Sequence, residues 1–219
     1  MSIALSLGNN LTTGGIFKPT AVNNTSVNNV TDFAGIAGGG TLVLLSTQTA
    51  SASASISFTS GIDSTYDEYI FKFINIHADT HGSHFQFNLS TDGGSNYNVT
   101  KTTTHFRAYH SEDDTGSGLG YRATEDLAQS TSDQILVLEL GTDNDCNCAG
   151  YLHLFAPSST TYVKHFLARG IVDQTNNTCR ETYTAGYANT TSAINAIRFQ
   201  MSSGNIDDGI IKMYGLVKS

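Results

Sequence analysis

From Thr41 to the C-terminus the sequence is a succession of short apolar runs separated by clusters of Gly, Ser, Asn and Asp, and no stretch sustains a 3.6-residue period. A chain patterned this way has no apolar helix faces to bury, so its core must form between sheets. The runs predict strands at Leu42–Leu45, Ala54–Phe58, Tyr69–Ile76, Phe85–Ser90, Tyr97–Thr103, Phe106–His110, Gln134–Leu140, Gly150–Phe155, Val163–Ile171, Glu181–Tyr187, Ala196–Ser202 and Gly209–Val217. Tyr69–Ile76 is apolar on both faces, as in a strand near the middle of a sandwich, whereas Phe85, Phe87 and Leu89 alternate with Gln86, Asn88 and Ser90. Turns at such short intervals, with only 2 prolines, indicate an all-β chain folded as an antiparallel β-sandwich. Asp92-Gly93-Gly94-Ser95-Asn96 predicts a tight hairpin between the strand ending at Ser90 and Tyr97–Thr103, because adjacent glycines permit positive φ. Ser111–Ser132, acidic and Gly-rich, is expected as a long surface loop with a short helical turn near Glu125–Ala128, and Asp173–Arg180 as a second outer loop.

The segment before this pattern is of another kind. Residues 1–40 are rich in Asn, Thr and Gly, and Lys18 is their only basic side chain. Their apolar residues are scattered, with Leu5, Leu7, Leu11, Ile16, Phe17, Val22, Val27 and Phe33 the main candidates for anchors, and they are too sparse to enclose a core. The expected organisation is an extended N-terminal anchoring arm, 1–40, and a β-sandwich domain, 41–219.

Composition narrows the function. A formal charge of −8 argues against binding a nucleic-acid backbone, which requires clustered Lys and Arg. The longest apolar runs, Leu42–Leu45 and Ile135–Leu138, fall far short of the roughly 20 residues of a membrane helix, so no membrane insertion is expected. Met1-Ser2-Ile3 lacks the basic start of a secretory signal, and the Asn-x-Ser/Thr triplets at Asn10, Asn24, Asn29 and Asn189 are accordingly not expected to carry glycans. A charged fraction of 14%, with Ser, Thr and Asn supplying the remaining polarity, suits an assembled shell. Cys146, Cys148 and Cys179 read as reduced structural or surface thiols, since a Cys-x-Cys pair is too short for a zinc knuckle.

Several constellations have ligand-like chemistry. His77, His81 and His84, with Asp79, form the densest group and are weak candidates for a metal site, because a loop spacing of this kind fixes no geometry. Ser90-x-Asp92-x-Gly94-x-x-Tyr97 has the outline of an Asp-box turn and reads as structural. Asp113-Asp114, Asp143-Asn144-Asp145 and Asp207-Asp208 read as solvated turns, without the bidentate Glu of a calcium loop. Glycoside hydrolysis would need a carboxylate pair such as Glu139 and Glu181 on facing strands. Neither a Gly-x-Ser-x-Gly elbow nor a phosphate-binding glycine loop is complete, so no catalytic residues and no cofactor are assigned. Tyr109, Tyr121, Tyr183 and Tyr187 are candidates for surface recognition, as loop aromatics able to stack on sugars.

The closing sequence, Ile197-Arg198-Phe199-Gln200-Met201-Ser202-Ser203-Gly204-Asn205-Ile206 followed by Asp207 to Leu216, resembles the last two strands of a bacteriophage structural family common in marine phages, including those of cyanobacteria. The resemblance continues in Ile62–Tyr69, Leu89–Gly94 and Phe155–Thr160, and covers Thr41 to Leu216. It implies a jelly-roll-like virion protein, a homotrimer, on the tail, the tail fibres or the capsid surface, with no catalytic residues to carry over. The expectation is therefore a non-enzymatic virion structural protein: a trimeric tail-fibre or tail-associated component, anchored by its arm to other virion proteins, whose outer loops touch host surface polysaccharide. A capsid decoration protein and a free carbohydrate-binding module are the alternatives. A polysaccharide depolymerase is a third.

Overall fold

The computed structural model describes residues 42–174 and 176–217, so the expected arm and its apolar anchors lie outside the described residues. Period-two alternation decides the elements. In chain order they are β1 (Leu42–Ser53), β2 (Ile56–Phe58), β3 (Glu68–Ala78), β4 (Ser83–Ser90), β5 (Lys101–Ser111), β6 (Ser117–Tyr121), β7 (Gln134–Leu140), β8 (Cys148–Phe155), β9 (Lys164–Gln174), β10 (Thr178–Ala188), β11 (Ala196–Met201) and β12 (Ile206–Leu216). In β9 every second side chain from Lys164 to Gln174 is buried and every other one exposed.

The strands form an antiparallel β-sandwich of unequal sheets. One has eight strands in the order β1-β12-β3-β8-β9-β10-β5-β6, the other four in the order β2-β11-β4-β7. The chain crosses repeatedly from one sheet to the other, as in a jelly roll.

Phe199 of β11 joins the two layers. Its ring stacks on Phe85 with centroids 5.8 Å apart, and meets Phe73 at 5.3 Å and Phe71 at 5.6 Å across the sandwich. Phe58 and Phe87 complete the cluster, each 6.4 Å from Phe199. All six rings are buried. The inner face of the large sheet is apolar along β12, β3, β8 and β9, where Met213, Phe71, Leu152 and Ala168 share one row. At Gly170 of β9 a Cβ would lie 2.4 Å from Val137 Cγ2, so the bare glycine lets β7 approach the large sheet closely.

Beyond β7 the inner face turns polar. The outer edge of β7 has no strand neighbour, and side chains of the large sheet satisfy its carbonyls instead. Thr182 Oγ1 donates to Leu136 O at 2.5 Å, Thr184 Oγ1 to Ile135 O at 3.4 Å, and Gln174 Nε2 to Leu138 O at 3.4 Å. Residues 122–133 then cover β5: Thr103 N donates to Leu127 O at 2.8 Å, and Thr103 Oγ1 to Gln134 Oε1 at 2.6 Å. Two cationic residue types are enclosed in this layer. Lys101 Nζ donates to Asn88 Oδ1 at 2.6 Å and Val99 O at 2.9 Å, and burial pulls its pKa down to about 8. His105 Nδ1 meets Thr184 Oγ1 at 2.9 Å, and burial, opposed by the charge of Glu125, pulls its pKa down to about 4.

Three local expectations are corrected. The Asp92–Asn96 turn is not a hairpin, because β4 belongs to the four-stranded sheet and β5 to the eight-stranded one. Gly93 and Gly94 do take positive φ, of 72° and 91°, but Ser90 Oγ and Asp92 Oδ1 accept the N–H groups of Gly94 and Asn96 and close the turn upon itself. The chain then reaches the other sheet through residues 95–100. Ser111–Ser132 is not simply a loop, since it contains β6, the exposed edge strand beside β5. Near Glu125 the chain makes a turn, Glu125 N to Arg122 O at 3.2 Å, where a helical turn was expected. Nor is Asp173–Arg180 an outer loop, for β9 and β10 pair as far as Gln174 and Thr178.

Two outcomes are expected from this packing. Phe199→Ala opens a cavity between the sheets and lowers stability by about 3–5 kcal/mol in a denaturant titration. For His105 the folded pKa lies below the unfolded one, so the unfolded chain takes up its proton first as the pH falls. The stabilisation is therefore complete above pH 6.5 and is lost between 6.5 and about 4, on the order of 3 kcal/mol in all. His105→Asn should flatten the stability profile in that window, and an unchanged slope would show that other groups set it.

Candidate functional site

Residues that alternate with the core strands project from the outer face of the eight-stranded sheet. The register places Lys72, Tyr151, Arg169, Tyr183, Phe106 and Tyr121 in one row, running from β3 through β8, β9, β10 and β5 to β6. Phe106 and Tyr183 stack face to face, with centroids 4.7 Å apart and planes 6° from parallel. The Arg169 guanidinium lies 5.2 Å over the Tyr183 ring and is hydrogen-bonded to Glu181. Glu181 also accepts the Tyr183 hydroxyl at 2.7 Å. The Arg169 hydrogen bond holds the Glu181 carboxyl below the usual range, and the Glu181 hydrogen bond pushes the Tyr183 hydroxyl up. Nearby, His153 hydrogen-bonds Glu68, and its ring lies 5.0 Å from Tyr151.

Phe106, Tyr151, His153, Leu167, Arg169 and Tyr183 line a depression of about 420 Å³. A second depression of about 400 Å³, which includes His165, Phe155 and Tyr187, shares Leu167 and Ala185 with the first. Leu167 is 51% exposed, Ile171 47% and Leu119 74%. Exposed apolar residues are ordinary when single, and here Arg169 and Glu181 stand among them.

The four tyrosines expected in loops are all on strands. Tyr121, Tyr183 and Tyr187 face outward on β6 and β10. Tyr109 of β5 faces the other way, opposite Arg180 and Gly118 in the ladder. Sequence reading missed Phe106, Tyr151, His153, Leu167 and Arg169. The signal was the alternation of β9, but Phe166 and Leu167, or Ile171 and Val172, are equally apolar neighbours, and one sequence does not say which of each pair faces out.

The histidine cluster does not converge. His77 Nδ1 meets Asp207 Oδ2 at 3.3 Å and its Nε2 meets Asp143 O at 3.2 Å. His84 Nδ1 accepts the Glu139 N–H at 3.0 Å, on the four-stranded sheet. His81 lies with His84, Glu139 and Gln174 around a polar cleft of about 380 Å³. Asp79 caps the turn before β12, accepting Asn205 N at 2.8 Å, which holds its carboxyl low. Among the described residues, no three His, Cys, Asp or Glu side chains form a metal-holding group. The Asp-box outline is structural, with Ser90, Asp92 and Asn96 closing the turn and holding the Asp92 carboxyl down at about 2. Cys146 and Cys148 are buried free thiols and Cys179 an exposed one. Burial raises the Cys148 pKa. Glu139 bonds Arg180 at 2.7 Å on the inner side of the large sheet, while Glu181 bonds Arg169 on the outer side. Those two carboxylates stand on opposite faces and cannot flank one glycosidic bond.

The chain matches no known protein family, no curated protein and no solved structure.

Because His77 and His84 hydrogen-bond separate partners and no three ligands converge among the described residues, added Zn²⁺ is expected to leave the thermal midpoint unchanged in scanning calorimetry. A rise with zinc that His84→Ala abolishes would show that the loop does gather around an ion.

Proposed function

We propose that this protein is a non-enzymatic structural component of a bacteriophage particle, a homotrimer joined to its neighbours through the outer face of the eight-stranded sheet and held in the particle by residues 1–40. The observation that supports this reading best is the row from Tyr151 through Arg169, Tyr183 and Phe106 to Tyr121, a broad aromatic and apolar face on a strand framework. Interfaces between subunits are built of such residues, with aromatics and Arg enriched at their centres. The 14% charged fraction points the same way. A tail-fibre or tail-associated position is preferred, and a decoration protein on the capsid is the alternative placement.

A second reading, a carbohydrate-binding module, is favoured by one feature of the same face. The stacked Phe106–Tyr183 pair, flanked by Arg169 and Glu181, offers a flat aromatic platform with donors and acceptors at its edge.

Light scattering on the full chain separates them. The expected mass is three times the 23.4 kDa of one chain, and Leu167→Lys with Tyr151→Lys is expected to return it to one. A monomeric full-length protein would put the carbohydrate-binding module first. In particles, deletion of Met1–Gly40 should leave the trimer folded but unincorporated, and normal incorporation would remove residues 1–40 from the anchoring role.

A further inference from the structure

Lys101 opens β5 and is 0% exposed, and it meets Asn88 of β4, which is 1% exposed. The two strands belong to different sheets, so the pair spans the interior of the sandwich. Lys101 Nζ donates to Asn88 Oδ1 at 2.6 Å and to Val99 O at 2.9 Å. With a C=O bond of about 1.2 Å, that contact puts Nζ about 3–4 Å from Asn88 Cγ, a separation from which a nucleophile attacks. The carboxamide is held at both ends. Its Oδ1 also accepts the Leu89 N–H at 2.9 Å, and its Nδ2 donates to Thr131 O at 3.0 Å.

A neutral carboxamide and a backbone carbonyl are weak company for a buried ammonium, which ordinarily takes a carboxylate as its direct partner. Burial outweighs the attraction of Asp133 here and pulls the Lys101 pKa down to about 8, which brings the unprotonated, nucleophilic amine within reach near neutral pH. The Leu89 N–H points at the oxygen on which negative charge develops when Cγ is attacked. Asp133 is the carboxylate whose charge acts on Lys101. Its oxygens are held by Arg198 Nη2 at 3.2 Å and Gln200 Nε2 at 3.4 Å, and Arg198 stands opposite Asn88 in the ladder between β4 and β11. Lys164 is also 0% exposed, but its Nζ donates to a backbone carbonyl, Thr190 O, at 3.1 Å.

We propose that Lys101 and Asn88 join in an intramolecular isopeptide bond. The lone pair of the unprotonated Nζ attacks Asn88 Cγ, the Cγ–Nδ2 bond breaks, and Nδ2 leaves as ammonia. Asp133 takes the proton that Nζ sheds on attack and passes it to the departing nitrogen, so no oxidant, reductant or cofactor is consumed. The bond ties β4 to β5, and with them the four-stranded sheet to the eight-stranded one, around the Asp92–Asn96 turn where the chain passes between the sheets. It is a property of the sandwich itself and does not depend on the virion reading.

The test is mass spectrometry of the full-length protein held at about pH 9, above the Lys101 pKa, read as intact mass and as tryptic peptides. The native chain should be lighter than its sequence by one ammonia. Trypsin needs a free lysine side chain, so it should pass over Lys101 and release residues 73–107 as one peptide carrying that deficit. Lys101→Met should show no deficit, Asp133→Asn should be cut at Lys101 in most molecules, and Lys164 should be cut in every sample once the chain is unfolded. The assignment is overturned if the native protein releases an ordinary 73–101 peptide, if the missing ammonia maps to other residues, or if Asp133→Asn closes the bond as fully as the native chain does. The decisive reading is made on the native chain, so a variant that fails to fold does not remove it.

Discussion

The four-stranded sheet ends at β7, and the hydrogen-bonding groups along that strand's free edge must be satisfied by the sheet it lies on. Thr182, Thr184 and Gln174 do so from the inner face of β10 and β9. This requirement divides the interior. On the β11 side of β7 the sheets meet through phenylalanines gathered on Phe199, where nothing polar needs a partner. On the other side the inner surface of the large sheet has no second sheet above it, and residues 122–133 cover it by polar contacts, among them Gln134 Nε2 to Glu125 O at 2.9 Å. The edge is also closed to pairing with another chain, which is how sandwich proteins avoid edge-to-edge aggregation.

The polar interior explains features that would otherwise look like defects. Lys101 and His105 are enclosed because β5 has to present hydrogen-bonding side chains there, and both give up part of their basicity for it. Farther along the same strand the burial is less complete, and Arg107 and Tyr109 are half-buried. The same alternation that hides His105 places Arg107 on the same face of β5 two residues later, where burial is only partial.

The strands and the sandwich were legible because alternation is local: Gln134–Leu140 was read to the residue as β7, and Ala196–Ser202 within one residue of β11. What was illegible is which strands share a sheet. Asp92-Gly93-Gly94 has the residues of a hairpin turn, but β4 pairs with β11 and β7 and β5 with β10 and β6, and three of these four partners are distant in sequence. β1 was read only as Leu42–Leu45, because its second half, Thr47 to Ser53, is Thr, Ser, Ala and Gln. It lies at the edge of its sheet, where little apolar surface needs burying. The outer face was hidden for the opposite reason. β9 is apolar on both sides, so nothing in its composition separates Phe166 in the core from Leu167 outside. The histidines misled through proximity in sequence: β3 and β4 belong to different sheets, and His77 and His84 go with them.

On the proposed interface, burial would have to leave no charge stranded, and the charges of the outer row are paired within it. Arg169, near its centre, is neutralised by Glu181, lies over the Tyr183 ring and is tied through Glu181 to the Tyr183 hydroxyl. A guanidinium held like this gives up little further hydrogen bonding when a partner arrives, whereas an isolated lysine would pay for its full desolvation. Lys72 lies in the same row beyond Tyr151, its ammonium 5.5 Å over Tyr214, and the register continues from it to Lys212 of β12. Aromatic groups and the paired Arg169 and Glu181 lie together, and the lysines Lys72 and Lys212 stand to the β3–β12 side of them. That gradient is what an interface core and its rim require, and it arises from which residues of β3, β8, β9, β10 and β5 the register brings level with one another.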